Sequence, residues 1–302
     1  MSKMAIGFII LAHDNPVAVR RLVTRLTAPW SRIFVHIDRK VAASDFSSLG
    51  DVAFVPDELR VPVFWGGFSH TAATLAALRF ALDTDPSIER FVLLSGADYA
   101  IKPLGDIKNF FDAHPATEFV RIDRQLTPNG PNPLDWYLKY YVGDVPLFHE
   151  MHSPLPPLAA LASRIAPKIP HRPPPETTIY HGAMWWALTR DGARTVVRFA
   201  DDNRALMRWM RRTRECGELF VQTALKARGQ ALTFSQDATA GPVTDPTLHG
   251  VHYIDWSRGG PHPKPLEIAD LPALKQSPAL FARKFGPSAI DVLNRLDALH
   301  TA

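Results

Sequence analysis

Apolar residues follow two different rhythms along the first hundred positions of this chain. Nearly continuous apolar runs at 5–12, 32–38 and 90–95 read as strands buried on both faces, because a strand with one wet face would alternate with polar residues. A shorter run at 52–55 reads as a fourth strand. Between them, 15–27 and 69–82 carry the spacing of helices, with Pro16 suited to a first turn and Ser69 placed to cap. Strand and helix in alternation predict an α/β fold, a Rossmann-type, mainly parallel sheet flanked by helices. Ligands of such sheets sit beyond the carboxyl ends of the strands, where His13, Asp38 and Asp98 fall.

The rhythm breaks from 124 to 178, where Pro128, Pro131, Pro133, Pro146, Pro154, Pro156, Pro157, Pro167, Pro170 and Pro173-Pro174-Pro175 crowd the chain. Proline lacks a backbone donor, so this stretch predicts a long irregular excursion with at most one short helix near 158–165. Its Trp136, Tyr137, Tyr140 and Tyr141 suit either an acceptor groove or the anchoring of a loop to the core. Patterning resumes with one strand at 179–189, helices at 190–199, 203–211 and 217–228, a strand at 231–235 and a terminal helix at 287–299. No internal repeat is visible, and 1–302 reads as one domain with a proline-rich insertion.

Composition narrows the function classes. The chain has 302 residues, 46% of them apolar, and a net charge of +4 with its basic residues scattered, which disfavours nucleic acid and suits a small anionic ligand or weak attraction to acidic surfaces. A single cysteine, Cys216, excludes an internal disulfide framework. The apolar run at 5–12 is short for a signal peptide, and no stretch approaches the roughly 20 residues that span a bilayer. The expectation is cytoplasmic residence, with peripheral attachment to the inner membrane face left open.

Candidate chemistry gathers in the last third. Glu218, then Tyr253 and Trp256, then Lys264, then Arg283-Lys284 supply an acid, aromatic rings and cations in an order suited to group transfer from a diphosphate-activated donor. The acid takes a proton from an acceptor hydroxyl, while cations offset the charge of the leaving diphosphate. Each has a plainer alternative: an acid in a helix's first turn also answers the helix dipole, and lysines are usually solvated. Trp65-Gly66-Gly67-Phe68-Ser69 lacks the spacing of a phosphate loop and reads as a tight turn, with Trp65 packing on a nucleotide base or on the core. Asp123 and Asp135 have no Asp-x-Asp partner, Asp201-Asp202 falls in a turn between helices, and the 12 histidines show no paired spacing, so no metal site is expected.

These segments together resemble the glycosyltransferase family 14, the core-2/I-branching N-acetylglucosaminyltransferases and peptide O-xylosyltransferases. The resemblance runs through Ile10-Leu11-Ala12-His13, Phe34-Val35-His36-Ile37-Asp38, Trp65-Gly66-Gly67-Phe68-Ser69, Leu93 to Tyr99, His181 to Leu188, Gly217 to Thr223, Tyr253-Ile254-Asp255-Trp256 and Leu280 to Phe285. It implies a GT-A-like fold with a nucleotide-binding half at 1–123, the insertion at 124–178 and an acceptor and catalytic half at 179–302. It further implies an inverting, metal-independent transfer from a UDP-sugar, GlcNAc first and xylose next, to a glycan, glycolipid or peptide hydroxyl. By position, Glu218 matches the general base and Lys264 and Lys284 match diphosphate contacts, with Arg283 beside them. His13, Asp38 and Trp65 fall on the nucleotide side, and Asp98, Trp185, Tyr253 and Trp256 on the substrate side. The chain departs from the family pattern at Glu215-Cys216-Gly217 before the base, at Ala183 and at Ala100. Those departures keep a catalytically silent nucleotide-sugar or glycan-binding protein as the alternative, with a nucleotidyltransferase behind it.

Overall fold

The computed structural model describes residues 4–127, 135–149, 153–169, 175–228, 232–257, 259–260 and 262–300. At its centre lies strand β1 (Ala5–Ala12), buried at every position. Ile6, Phe8 and Ile10 point into one hydrophobic cluster, while Ile9 and Leu11 point into a second on the opposite face. This two-sided burial is what the unbroken apolar run encodes. Helix α1 (Pro16–Leu26) covers the first face and leads to β2 (Ser31–Ile37) and β3 (Ala53–Phe54). Helix α2 (Phe68–Thr84) covers the second face and leads to β4 (Ile88–Ser95). These strands run parallel in the order β3-β2-β1-β4, so the winding direction reverses between β1 and β4. A crevice opens beyond strand ends at such a reversal.

Strand β5 (Asp98–Ala100), helix α3 (Leu104–Ala113) and strand β6 (Thr117–Leu126) follow. Helices α4 (Asp135–Leu138) and α5 (Pro156–Ile165) belong to the proline-rich excursion, after which come β7 (Ile179–Gly182), β8 (Ala187–Thr189), α6 (Arg190–Asp202), α7 (Arg204–Met210), α8 (Phe220–Ala227) and β9 (Thr233–Asp237). Strand β8 inserts antiparallel between β4 and β6, β7 pairs antiparallel with the later part of β6, and β9 pairs parallel with the opposite edge of β6. Strands β10 (Leu248–His249), β11 (His252–Ile254) and β12 (Phe281–Arg283) join β5 in a second sheet. Helices α9 (Leu271–Gln276) and α10 (Ile290–His300) pack with that sheet, α1 and α3 over the first face, and α6, α7 and α8 pack with α2 over the second. The result is a mixed α/β fold whose central sheet carries its parallel half where the sequence predicts it.

Several expectations are corrected. The segment 179–189 is two strands, because β7 pairs with Ile122 to Leu126 of β6 while β8 pairs with Phe119 of β6 and with β4, and the residues between Gly182 and Ala187 belong to neither. Ser69 does not cap α2. Its hydroxyl accepts from Phe64 N–H (2.8 Å) and donates to Asp144 (2.6 Å), and the Asp144 carboxylate accepts the Ser69 backbone N–H (3.0 Å) in the capping role. A cap supplied from the insertion leaves no local signal. The helix expected from 217 starts at Phe220, after a 3₁₀ turn at Cys216–Glu218. The insertion holds two helices instead of at most one, and β6 runs into it as far as Leu126. Pro128, Pro131, Pro133, Pro170, Pro173 and Pro174 lie outside the described residues, as does the side chain of Trp136. Among the described residues, no helix is long and apolar enough to cross a membrane.

Buried histidines make this fold sensitive to acid. His36 on β2 is 1% exposed, and its Nε2 accepts the Val61 N–H at 3.0 Å, which requires a neutral ring. Burial pushes its pKa from 6.5 down to about 4. Between those values the unfolded chain binds the proton that the folded chain refuses, so stability falls as pH drops through that window. Urea midpoints measured across it should decline for the wild type and decline less steeply for His36→Gln; equal slopes would remove His36 from the account.

Candidate active site

Two interlocked turns position Glu218. The turn at Trp65-Gly66-Gly67 offers its Gly66 carbonyl to the Glu215 N–H (2.7 Å), and Glu215 offers its own carbonyl to the Glu218 N–H (2.9 Å). Asp144 closes the seam so tightly that a Cβ on Gly67 would stand 1.8 Å from its Oδ1, so a larger residue there would displace the capping carboxylate. Cys216 is buried with its Sγ 3.3 Å from Thr71 Oγ1, and burial pushes its thiol up to about 12, which makes it a packing group and not a nucleophile. The Glu218 side chain stays 37% exposed.

Strand β7 carries His181 to this carboxylate. Its Nε2 lies 3.3 Å from Glu218 Oε2 and its Nδ1 3.4 Å from Asp123 Oδ2, an ion-pair contact without hydrogen-bond alignment at Nδ1. The β6–β7 register slips between Ile122 and Arg124, a bulge at Asp123 that re-aims its side chain. Arg121 Nε donates to Asp123 Oδ1 at 2.7 Å. Burial works against the Asp123 charge, yet His181 and Arg121 hold its pKa down to about 2. Burial likewise opposes the His181 cation, and the two carboxylates outweigh it to raise the ring's pKa. Tyr137 of α4 stands 6.3 Å away, ring to ring, its hydroxyl pushed up to about 12 by burial and by the Glu218 charge.

A second group of side chains continues from the same turns. Arg214 Nε lies 3.3 Å from Glu215 Oε1, and its guanidinium carbon sits 5.4 Å from the Trp65 ring centre. The Tyr141 hydroxyl donates to the Trp65 carbonyl at 2.9 Å. Trp65 meets His262 edge-on at 5.5 Å. Burial and then the Lys284 charge lower the His262 pKa; burial and then Arg283 lower that of Lys284. The Arg283 guanidinium lies 3.8 Å over the Trp185 ring. Its charge also reaches His70 in the first turn of α2, which burial, followed by Arg283, pushes down to about 4.

The expected site residues therefore divide. Trp65, Arg283 and Lys284 share this neighbourhood, and His13 and Asp38 border it, since both influence His70. Asp38 is engaged by Lys40 Nζ (2.6 Å) and the Lys40 N–H (2.9 Å). Lys264 is held by Asp270 and lies 3.9 Å from Asp255. Tyr253 is buried in the core cluster of the first face, and Trp256 is exposed. Asp98 and Trp185 are buried and support Arg283 from below. His181 and Asp123 were not singled out by the sequence as partners of the acid, because neither a bulge nor a pairing between distant strands leaves a local pattern. Among the described residues, no group of three or more His, Cys, Asp or Glu is arranged to hold a metal ion.

A mixed α/β sheet with an acid and cations gathered about the first turn of α2 is the frame into which any relative must fit. The family described as Core-2/I-branching enzyme matches residues 6–274, and the chain belongs to that family. It is 21% identical to the human "Probable beta-1,3-galactosyl-O-glycosyl-glycoprotein beta-1,6-N-acetylglucosaminyltransferase 7", over 94% of this chain and 65% of that protein. It is 24% identical to the mouse "N-acetyllactosaminide beta-1,6-N-acetylglucosaminyl-transferase", over 93% of this chain and 68% of that one. The chain thus spans about two thirds of the length of these curated relatives. Among solved structures, apo mouse xyloside xylosyltransferase 1 aligns over 94% of this chain and 99% of its own, at 12% identity and a TM-score of 0.36.

The close approach of β7 to β6 at Gly182 offers a sharp test of the geometry. A Cβ on Gly182 would stand 1.8 Å from the Arg121 carbonyl oxygen, a backbone atom with no room to yield. Gly182→Ala should therefore cost about 1–3 kcal/mol in urea unfolding by overpacking. An unchanged midpoint would contradict the β6–β7 spacing that sets His181.

Proposed function

We propose that the chain is an inverting, metal-independent glycosyltransferase of GT-A-like architecture. It moves a sugar from a UDP donor, N-acetylglucosamine first and xylose next, to a hydroxyl of a glycan, glycolipid or peptide. The observation that carries this reading is the half-exposed Glu218 carboxylate, backed by His181 and Asp123. Membership of the family and the names of the two curated relatives support the reaction class.

The roles follow from the chemistry. Glu218 accepts the proton of the acceptor hydroxyl as that oxygen bonds to the anomeric carbon; the bond from that carbon to the diphosphate oxygen breaks on the opposite face, and UDP leaves with the electron pair. Lys284, with Arg283 beside it, offsets the growing negative charge, a task that fixed cations perform without reorganising. Lys264, already paired with Asp270, is a weaker candidate for the same task. His181 is a positioning residue: Asp123 orients its ring, and the ring fixes one oxygen of Glu218, leaving the other toward the acceptor. Trp65 offers a flat face on the nucleotide side.

UDP release from UDP-GlcNAc, UDP-xylose, UDP-glucose and UDP-galactose in EDTA tests the proposal. Release by the wild type that prefers one donor and falls roughly 100-fold or more in Glu218→Gln is the expected result. Full activity of Glu218→Gln would remove the base assignment, and release that returns only with added metal would remove metal independence. UDP binding without turnover of any donor, acceptor supplied, would favour a silent binding protein. His181→Ala should lower kcat by on the order of tenfold with the donor KM unchanged, and Asp123→Asn should shift the same parameter in the same direction. A change in KM alone would mean that His181 does not act through Glu218.

A further inference from the structure

We infer that helix α5 docks the protein flat on an anionic lipid surface. The proposal stands apart from the transfer reaction and rests on a face that the fold leaves uncovered. Leu155, Leu158, Leu161 and Ile165, spaced three, three and four residues apart, form one stripe, which Ile169 extends. They are 52%, 37%, 52%, 50% and 44% exposed, and together they are five of the 13 exposed large apolar side chains among the described residues. Such clustering is what separates an interaction face from the scattered apolar residues of any surface. The helix rests on the protein by its other side, through Ala159 and the following Ala166, both buried.

Charge selects the occupant. Residues 151–175 contain no aspartate or glutamate, while Arg164, Lys168 and Arg172 fall within them. Arg164 and Lys168 are exposed and lie on the edge of the apolar stripe. An apolar stripe with a basic border is the pattern of a helix that lies in the headgroup region, its apolar face sunk among acyl chains and its cations on anionic headgroups. Ten residues at 1.5 Å each give α5 a length of about 15 Å, half the thickness of a bilayer's hydrocarbon, so it lies on the surface instead of crossing it. A second copy seated on the same stripe would bring these cations against their own kind, with no acid in the segment to offset them.

Flotation of the full chain with phosphatidylcholine vesicles, with and without phosphatidylglycerol, tests this. The wild type should float with the phosphatidylglycerol vesicles and remain behind with phosphatidylcholine alone. The double variant Leu161→Glu with Ile165→Glu, at exposed positions and checked for native circular dichroism, should lose binding by roughly tenfold or more. Arg164→Glu with Lys168→Glu should lose the preference for the anionic vesicles. No flotation of the wild type, or flotation of the double variant equal to it, would overturn the proposal. So would a wild-type dimer that the double variant converts to a monomer in light scattering, which would assign the stripe to a second copy of the chain.

Discussion

Where the two sheets meet, the Asp98 carboxylate has no solvent-exposed surface and must be satisfied from within the protein. Burial alone would push its pKa up, but Arg283, 3.6 Å away, and His252 hold it below the ordinary carboxylate range, and Ser95 donates to both its oxygens at 2.8 Å. Burial keeps His252 toward its neutral form, so the balancing charge is that of Arg283. Removing one member of such a buried pair typically costs about 3–5 kcal/mol, because the other is left charged and dry. The pair is also a register pair of β5 and β12, so one electrostatic contact fixes the alignment of the small sheet and the height of the Arg283-Lys284 segment above Trp185. The cations proposed to face the donor inherit their position from an aspartate that never meets it.

The acid side of the site is held differently. Glu218 sits at the meeting of turns from distant parts of the chain, and His181 reaches it from a strand paired antiparallel with β6. Here positioning comes from backbone geometry: a bulge at Asp123, a close approach at Gly182 and a left-handed Glu215 at φ 54°. Left-handed backbone at a non-glycine residue persists only where its surroundings demand it, and the Gly66 carbonyl supplies that demand.

How much of this was legible in the sequence follows from the range of the forces involved. The runs 5–12 and 90–95 appear as β1 and β4 within a residue or two, because two-sided burial writes itself into consecutive side chains. The acid at 218 and the cations at 283 and 284 were visible as residue types in order. The short strands β5, β10, β11 and β12 were not visible, since their identity lies in partners across the fold. Neither α3 nor β6 is among the elements the sequence predicts, although both are regular elements of ten residues. The engagement of Lys264 by Asp270 was equally hidden, as a lysine's partner is decided by the rotamer and the turn and not by its neighbours in the chain.

The Asp144 contact changes the meaning of the proline-rich segment. A carboxylate from that segment completes the start of α2, whose first turn carries Ser69 and His70 and packs beside Cys216. The segment is therefore not an interchangeable attachment on a finished frame. Any effort to graft a different segment here, in the manner of exchanging recognition loops on a common scaffold, would have to bring an acid to the same place, or the turn that carries Glu218 would be assembled without its keystone.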